Sequence, residues 1–490
     1  MRKPRSSSGA VHEVEIHGIG AGGEGVGRLD DGRVVFVHRT APGDRVRVLL
    51  TQEKGRWARA RVDRVLEGAP QRRVAPCVYY DRCGGCTLQH LEPEAQLGAR
   101  GVQLHDALER IGKLEELPRV ELHAAPAEFH YRNRASFTLR RLGVRPQAGP
   151  PAGNALADPA EPLVVAGFHA LDRPGVIVDI GGAAGAAAEQ GPGDPGPPQP
   201  CLLVEPALAK LWADLRANWG RNASRLPAGM ELRLTLRALS DGSGVLLVEG
   251  GGGGGDPEAL LAAVPGLRAI WARPGGPGGA QGGSGAARAD EEGVDRPRPP
   301  RLLAGEENPQ ESWFGEEIPV RPGAFLQVNR EGAHHLHELA LAELGARPGE
   351  RVLDAYCGFG VYGRAAAREG ARAVGIELDP QAVVMGRDRP VSGFDLMEGT
   401  VEDLLPGALP ADRVILNPPR GGVESGVMEA LAADPPLRIV YVSCDPATLA
   451  RDLRRLGQGF RVVRLQAVDL FPQTAHVETV ATLDRIETSP

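Results

Sequence analysis

From Gly349 onward the sequence alternates short apolar runs with Ala- and Arg-rich stretches, and this alternation restricts the possible folds more than any other feature. Arg351 to Tyr356, Ala373 to Glu377, Asp412 to Leu416 and Arg438 to Ser443 are four such runs. Each is short and almost continuously apolar, as strands buried on both faces are, and the stretches between them have helical composition. The expected architecture is α/β, a doubly wound, mostly parallel sheet. Arg461 to Leu470 and His476 to Arg485, separated by Phe471 to Ala475, read as a closing antiparallel pair.

The N-terminal part follows a different rule. Between Val11 and Glu67, short alternating runs (Val14 and Ile16; Val34 to Val37; Val46, Val48 and Leu50; Val62 to Leu66) are broken by Gly18 to Gly27, Asp31-Gly32 and Pro42-Gly43, the pattern of a small barrel of five strands. The chain carries a net charge of -7, yet cations outnumber anions within residues 1–75. A basic module of this kind either touches phosphates or is simply a solvated surface. Leu97, Leu104, Leu108 and Ile111 share one helical face, and Phe129 to Arg140, Leu163 to Ile180 and Leu232 to Val248 read as strands of a middle domain. Much of the glycine (66 residues) and proline (42) falls in the tracts Gly143 to Glu161, Gly181 to Pro200 and Gly250 to Pro300. These are read as loop or disordered insertions, because they cannot bury enough apolar surface to offset the entropy of ordering. No apolar stretch reaches membrane-spanning length and Met1 to Ala10 lacks an apolar segment, so a cytoplasmic protein without membrane contact is expected.

Chemistry concentrates at the strand ends. Asp354-Ala355-Tyr356-Cys357-Gly358-Phe359-Gly360 is a strand running into a glycine turn and then a helix, and Glu377 ends the next strand, where its carboxylate can accept from two ribose hydroxyls. Read as lacking a phosphate-binding Gly-x-Gly-x-x-Gly, this is the expected site of an adenosine ligand without a pyrophosphate, for which S-adenosylmethionine is the natural candidate. Tyr441-Val442-Ser443-Cys444 brings a thiol to the same sheet edge; it is either a nucleophile or a small packed hydrophobe. Glu478 is either a base near that edge or an ordinary strand glutamate on a solvated face. Cys77, Cys83 and Cys86, with Gly84 and Gly85 between the last two, form the sharpest metal signal. Zinc and a [4Fe-4S] cluster would both accept such thiolates, and with Cys357 and Cys444 in the sheet, Cys201 is the available fourth ligand.

Together these residues resemble the TrmA/RlmD family of RNA uracil-C5 methyltransferases. The resemblance runs through Gly23 to Gly27 and Pro42-Gly43-Asp44, similar to a TRAM RNA-binding barrel, through Tyr131-Arg132-Asn133-Arg134 and Gly167-Phe168-His169, and through Phe325-Leu326-Gln327-Val328-Asn329. It is most specific at Tyr441 to Leu449 and Asp469 to Glu478. It implies a Rossmann-like S-adenosylmethionine methyltransferase domain (91–119 and 321–490), a TRAM barrel (11–70) and a β-rich iron-sulfur middle domain (71–90 and 120–320). It further implies Cys444 as nucleophile, Glu478 as base, cofactor contacts from Gln327, Tyr356, Gly358, Glu377 and Asn417, and a [4Fe-4S] cluster on Cys77, Cys83, Cys86 and Cys201. The substrate implied is RNA, ribosomal (23S) in preference to tRNA, acted on by a monomer. Asn417-Pro418-Pro419-Arg420 begins with Asn where the family has Asp, and Val361 stands where close relatives have Asn. These departures keep two other readings open: an N-methyltransferase using Asn417-Pro418-Pro419, and a non-catalytic RNA-binding protein.

Overall fold

The computed structural model describes residues 11–142, 164–181, 199–275, 299–320, 322 and 326–486. Its contacts divide the chain into two compact units. Met1–Pro76, Cys86–Glu128 and Glu331–Pro490 make up the first, and Cys77–Gly85 with Phe129–Arg330 the second.

In the first unit, β1 (Val11–Ile19), β2 (Gly25–Arg28), β3 (Val34–Val37), β4 (Arg45–Glu53) and β5 (Trp57–Glu67) close into a barrel in the order β1-β2-β3-β5-β4. Alternation sets the faces: Val14, Ile16, Val35, Val37, Val46 and Val48 are buried inside. The helix α1 (Pro93–Arg110) follows, with Pro93 at its start and Leu104 and Leu108 fully buried. Of the expected apolar face, Ile111 is instead exposed just past the helix end. Next comes β6 (Val120–His123).

The second unit contains β7 (Arg134–Arg141), β8 (Val164–His169), β9 (Ile177–Asp179), α2 (Pro206–Asn218), β10 (Glu231–Ala238), β11 (Gly244–Glu249), α3 (Pro257–Ala263), β12 (Leu267–Arg273), β13 (Arg301–Gly305), β14 (Gln310–Trp313) and β15 (Glu316–Pro319). Seven of these strands form a sheet in the order β13-β12-β11-β10-β7-β8-β9. On it lies α2, whose Trp212 stacks on Phe137 with ring centroids 3.8 Å apart. The expected segments Leu163 to Ile180 and Leu232 to Val248 are thus each a pair of antiparallel strands. The expectation of an unstructured Gly250 to Pro300 is corrected over its first half, where α3 and β12 form and bury Leu260, Val264 and Ile270. The tract Gly143 to Glu161, residues 182–198 and residues 276–298 lie outside the described residues.

The chain then returns to the first unit with α4 (Arg330–Leu344), β16 (Arg351–Ala355), α5 (Val361–Arg368), β17 (Arg372–Glu377), α6 (Pro380–Arg387), β18 (Phe394–Glu398), α7 (Val401–Ala408), β19 (Arg413–Leu416), α8 (Ser425–Ala433), β20 (Arg438–Ser443), α9 (Pro446–Leu456), β21 (Phe460–Val468) and β22 (Glu478–Arg485). These seven strands and β6 form an eight-stranded sheet in the order β18-β17-β16-β19-β20-β22-β21-β6. Only β22 runs antiparallel to its neighbours. The edge strand β6 corrects the expected boundary: residues 120–123 were assigned to the middle domain but pair in parallel with β21. Strand order reverses at β16, so the crevice for a ligand opens beyond the carboxyl ends of β16 and β19. Among the described residues, no helix is long and apolar enough to cross a membrane.

Candidate active site

The turn between β16 and α5 is built by three glycines and one buried acid. Gly358 and Gly360 adopt φ of +59° and +89°, and a Cβ on Gly360 would collide with the Phe394 ring. With Gly363 they do make a Gly-x-Gly-x-x-Gly, so the spacing alone fits a pyrophosphate as well as it fits an adenosine. Geometry separates the two. Asp354 is fully buried, and its Oδ2 accepts from the Gly363 amide at 2.7 Å, so the protein's own carboxyl already takes up a donor of the first turn of α5. Burial pushes the Asp354 carboxyl up to about 7, against the pull of that amide.

Glu377 ends β17 where the sequence placed it. Its Oε2 accepts from the Gly358 amide at 2.8 Å and its Oε1 from the Asp379 amide at 2.7 Å. Each oxygen keeps a second lone pair for ribose hydroxyls. Tyr356 holds φ of +60°, a strained value for a non-glycine residue, and its hydroxyl donates to Glu402 at 2.9 Å. Asn417 follows β19 directly, half-buried, with its backbone amide donating to Ala355 O at 3.2 Å. It therefore lies between the glycine turn and β20.

The thiol comes from β20. The antiparallel register sets Ser443 opposite Thr479, which leaves Cys444 and Glu478 as the next residues along the two segments, and the Glu478 charge acts on the Cys444 thiol. Cys444 is half-buried and directly precedes Asp445, which caps α9 by accepting from the amides of Ala447 and Thr448. Burial raises the thiol, Glu478 raises it further, and the Arg420 guanidinium opposes both. Glu478 is only 5% exposed, which excludes the solvated-face reading. Burial pushes its carboxyl up to about 8, again opposed by Arg420. Arg420 is the site residue that sequence reasoning missed. It was quoted in the Asn417 motif, but its relevance depends on the loop after β19 folding back toward β20 and β22.

In the second unit, Cys77, Cys83 and Cys201 pack against one core, and the charges of Cys83 and Cys77 act on Cys201, whose thiol burial pushes up to about 11. The amide of Gly85 donates to the Cys83 sulfur at 3.3 Å, and backbone amides of Leu203 and Val204 point at that of Cys201. Gly84 lets this turn press on the β8–β9 hairpin, since a Cβ there would stand 3.1 Å from His169 O. Buried Cys86 is three residues further along the chain, where the first unit resumes. Gln327 also belongs to the second unit; Asn133 Nδ2 donates to its carbonyl at 3.3 Å, and Arg237 donates to that of Leu326 at 3.2 Å. Phe325 of the same motif lies outside the described residues.

The chain is related in sequence and in fold to known proteins. The tRNA (Uracil-5-)-methyltransferase family matches residues 403–486 and the TRAM domain matches residues 5–62. An uncharacterised RNA methyltransferase of Gloeobacter violaceus is 33% identical, over 97% of each chain. The 23S rRNA (uracil(1939)-C(5))-methyltransferase RlmD of Chromohalobacter salexigens is 33% identical over 98% of this chain and 91% of its own. The crystal structure of the Pyrococcus abyssi tRNA (uracil-54, C5)-methyltransferase, solved with S-adenosyl-L-homocysteine, covers 96% of this chain and 99% of its own. With a TM-score of 0.67 at 22% identity, it shows a shared fold. Relatives this similar over nearly the whole length, together with the sheet and strand-end residues described, place the chain in the TrmA/RlmD family of RNA uracil-C5 methyltransferases.

Proposed function

We propose that the protein forms 5-methyluridine in 23S ribosomal RNA from S-adenosylmethionine, with Cys444 as nucleophile and Glu478 as base. The observation that supports the reading is the register of β20 and β22, whose last pair, Ser443 and Thr479, directly adjoins the Cys444 thiol and the buried Glu478 carboxyl at the end of the sheet where the glycine turn also opens. Uracil C5 is a weak nucleophile. Addition of the Cys444 thiolate to C6 makes an enolate whose C5 displaces the methyl group from the sulfonium, releasing S-adenosylhomocysteine. Glu478 takes the C5 proton, and the electron pair left behind expels Cys444 as thiolate and restores the ring double bond. A base pair in a stack cannot present C6 to a thiol, so the uridine must leave the stack.

In this reading Glu377, Gly358, Tyr356, Asn417 and Gln327 hold the methyl donor, and the relatives named RlmD support ribosomal RNA over tRNA. The working unit is taken to be a cytoplasmic monomer. The thiol set also fits the family's [4Fe-4S] cluster. Cys77, Cys83 and Cys201 pack against one core and the Gly85 amide donates to the Cys83 sulfur; in this reading they and Cys86 would hold the cluster. The cluster would tie distant chain segments together; methyl transfer moves no net electrons.

The test is mass spectrometry of the protein incubated with S-adenosylmethionine and 5-fluorouridine-substituted 23S rRNA. Fluorine at C5 blocks proton removal, so a stable protein–RNA adduct is expected with the native protein and none with Cys444→Ala. Absence of an adduct while S-adenosylhomocysteine still binds would reject the thiol route and favour the N-methyltransferase reading at Asn417.

A further inference from the structure

Of the residues Phe, Tyr and Trp, the barrel contains only Phe36 and Trp57, and both lie on its outside. Its interior is filled by aliphatic side chains. Val35 and Val37 flank Phe36 along β3, Ala58 and Ala60 follow Trp57 along β5, and all four are buried while the two rings are only half-buried. Rings that served stability alone would lie inside, where burying them is worth most. The parallel register of β3 and β5 sets Arg59 beside Phe36, and the two rings meet edge to face with centroids 6.3 Å apart. Such a pair leaves flat ring surface for a third partner. The Arg59 guanidinium lies over the Trp57 ring, 5.7 Å from its centroid, and the buried Glu24 carboxylate steadies it from 3.2 Å.

The surroundings are basic. Lys54 and Arg56 in the hairpin leading to Trp57 and Arg61 further along β5 are exposed, whereas Asp31 and Glu53 pair with Arg33, and Asp63 with Arg47. The loop Gly20 to Glu24 borders the rings, since a Cβ on Gly20 would stand 3.7 Å from the Phe36 ring. The same loop reaches the segment that leads into β22: a Cβ on Gly23 would stand 3.2 Å from that of Ala475, close before Glu478 in the chain. We propose that Phe36, Trp57 and Arg59 form a platform on which unpaired nucleotides next to the target uridine stack, with their phosphates along Lys54, Arg56 and Arg61. Every base offers a π-face, and rings and arginine planes hold open strands in this way without reading their sequence. Extraction of a uridine leaves its neighbours unstacked, so the platform takes the strand that the reaction itself exposes. This deepens the reading of RNA as substrate and rests on it, but not on the Cys444 route.

The test is the affinity of the full-length protein for a fluorescein-labelled, single-stranded RNA of about 12 nucleotides, read by fluorescence anisotropy. Trp57→Leu and Phe36→Leu keep apolar bulk and remove the flat ring. Each should weaken binding by at least about fivefold at a temperature where the variant is folded. Trp57→Phe should restore most of the affinity, which a merely structural apolar contact would not require. Neither leucine variant should flatten the salt dependence of binding, because stacking releases no counterions, whereas Arg61→Gln should lower that slope by about one. Unchanged affinity in both leucine variants would overturn the platform and leave the face to a protein partner. A lower salt slope in them, with binding at high salt unaffected, would mean a surface that takes phosphates alone. Should a variant fold poorly, ultraviolet crosslinking of the same RNA to the native protein reads the site directly, and crosslinks mapping away from Phe36 and Trp57 would reject it. The assay uses neither methyl donor nor 5-fluorouridine, so its failure leaves the adduct experiment on Cys444 untouched.

Discussion

Buried beside a thiol, Glu478 cannot hold its charge as a surface carboxylate does, and the consequence is measurable without any substrate. Its ordinary value of 4.5 is raised to about 8, so the folded protein keeps a proton that the unfolded chain has already lost over that interval. Stability contributed at this position is thus intact below about pH 4.5 and falls as pH rises toward 8, at about 1.4 kcal/mol per unit at most. Glu478→Gln removes that slope. Melting temperatures of the variant and native protein should coincide near pH 4.5, with the variant melting higher at pH 8.5; equal melting at both pH values would mean that Glu478 ionises freely. Asp354, raised to about 7, adds a slope of the same sign to both proteins and cancels in the difference. For catalysis the same shift implies a methylation rate that climbs toward pH 8, because only the carboxylate form of Glu478 can accept the C5 proton. Glu478→Gln should lower the rate by at least a hundredfold while leaving the adduct with unmodified RNA easier to trap.

At the scale of elements, the glycine turn is the most exposed to single substitutions. Gly360→Ala would force a side chain into the left-handed region, at about 1–2 kcal/mol, and against the Phe394 ring. Loss of S-adenosylhomocysteine binding in calorimetry, at a temperature where the variant is still folded, is the expected outcome; unchanged affinity would dissociate this turn from the ligand. This turn, the parallel strands and the barrel were legible because each has a local signature: apolar runs of strand length, or alternation punctuated by glycine. Other elements had none. The run Gly250 to Gly255, with positive φ at Gly250, Gly251, Gly254 and Gly255, is a turn leading to the capping Asp256, but its composition spreads over any window and conceals α3 and β12 behind it. The strand β6 was misassigned because its partner β21 lies far along the chain, and ion pairs such as Arg464 to Glu121 appear only on folding. The nearness of Cys444 and Glu478 likewise depends on register between β20 and β22. Motif resemblance supplied the pair, but periodicity could not.

At the scale of the whole molecule, the chain uses two kinds of cohesion in its two units. The first unit is closed by ordinary packing around its sheet, and its barrel adjoins α1 through Gln103, which donates to the carbonyls of Ile19 and Gly20. In the second unit, Cys77 and Cys83 meet Cys201 from a distant part of the sequence, and all three lean on the core that contains Phe137 and Trp212. A cluster bound there would cross-link segments that backbone pairing joins only at their margins, such as the single bridge between Cys83 and Ala170. Its binding energy would then be folding energy for the segments that carry Cys77, Cys83 and Cys201. Chelation of iron under anaerobic, reducing conditions should therefore lower the melting temperature and abolish methylation of RNA, while S-adenosylhomocysteine binding weakens but persists, since Glu377 and the glycine turn belong to the first unit and Gln327 to the second. Cys201→Ala should reproduce the chelated protein. Methylation by the intact protein should be indifferent to the oxidation state of the cluster, because methyl transfer from a sulfonium to C5 leaves no electron to be passed on; a rate that followed the cluster's potential with the fold unchanged would assign it a chemical role instead.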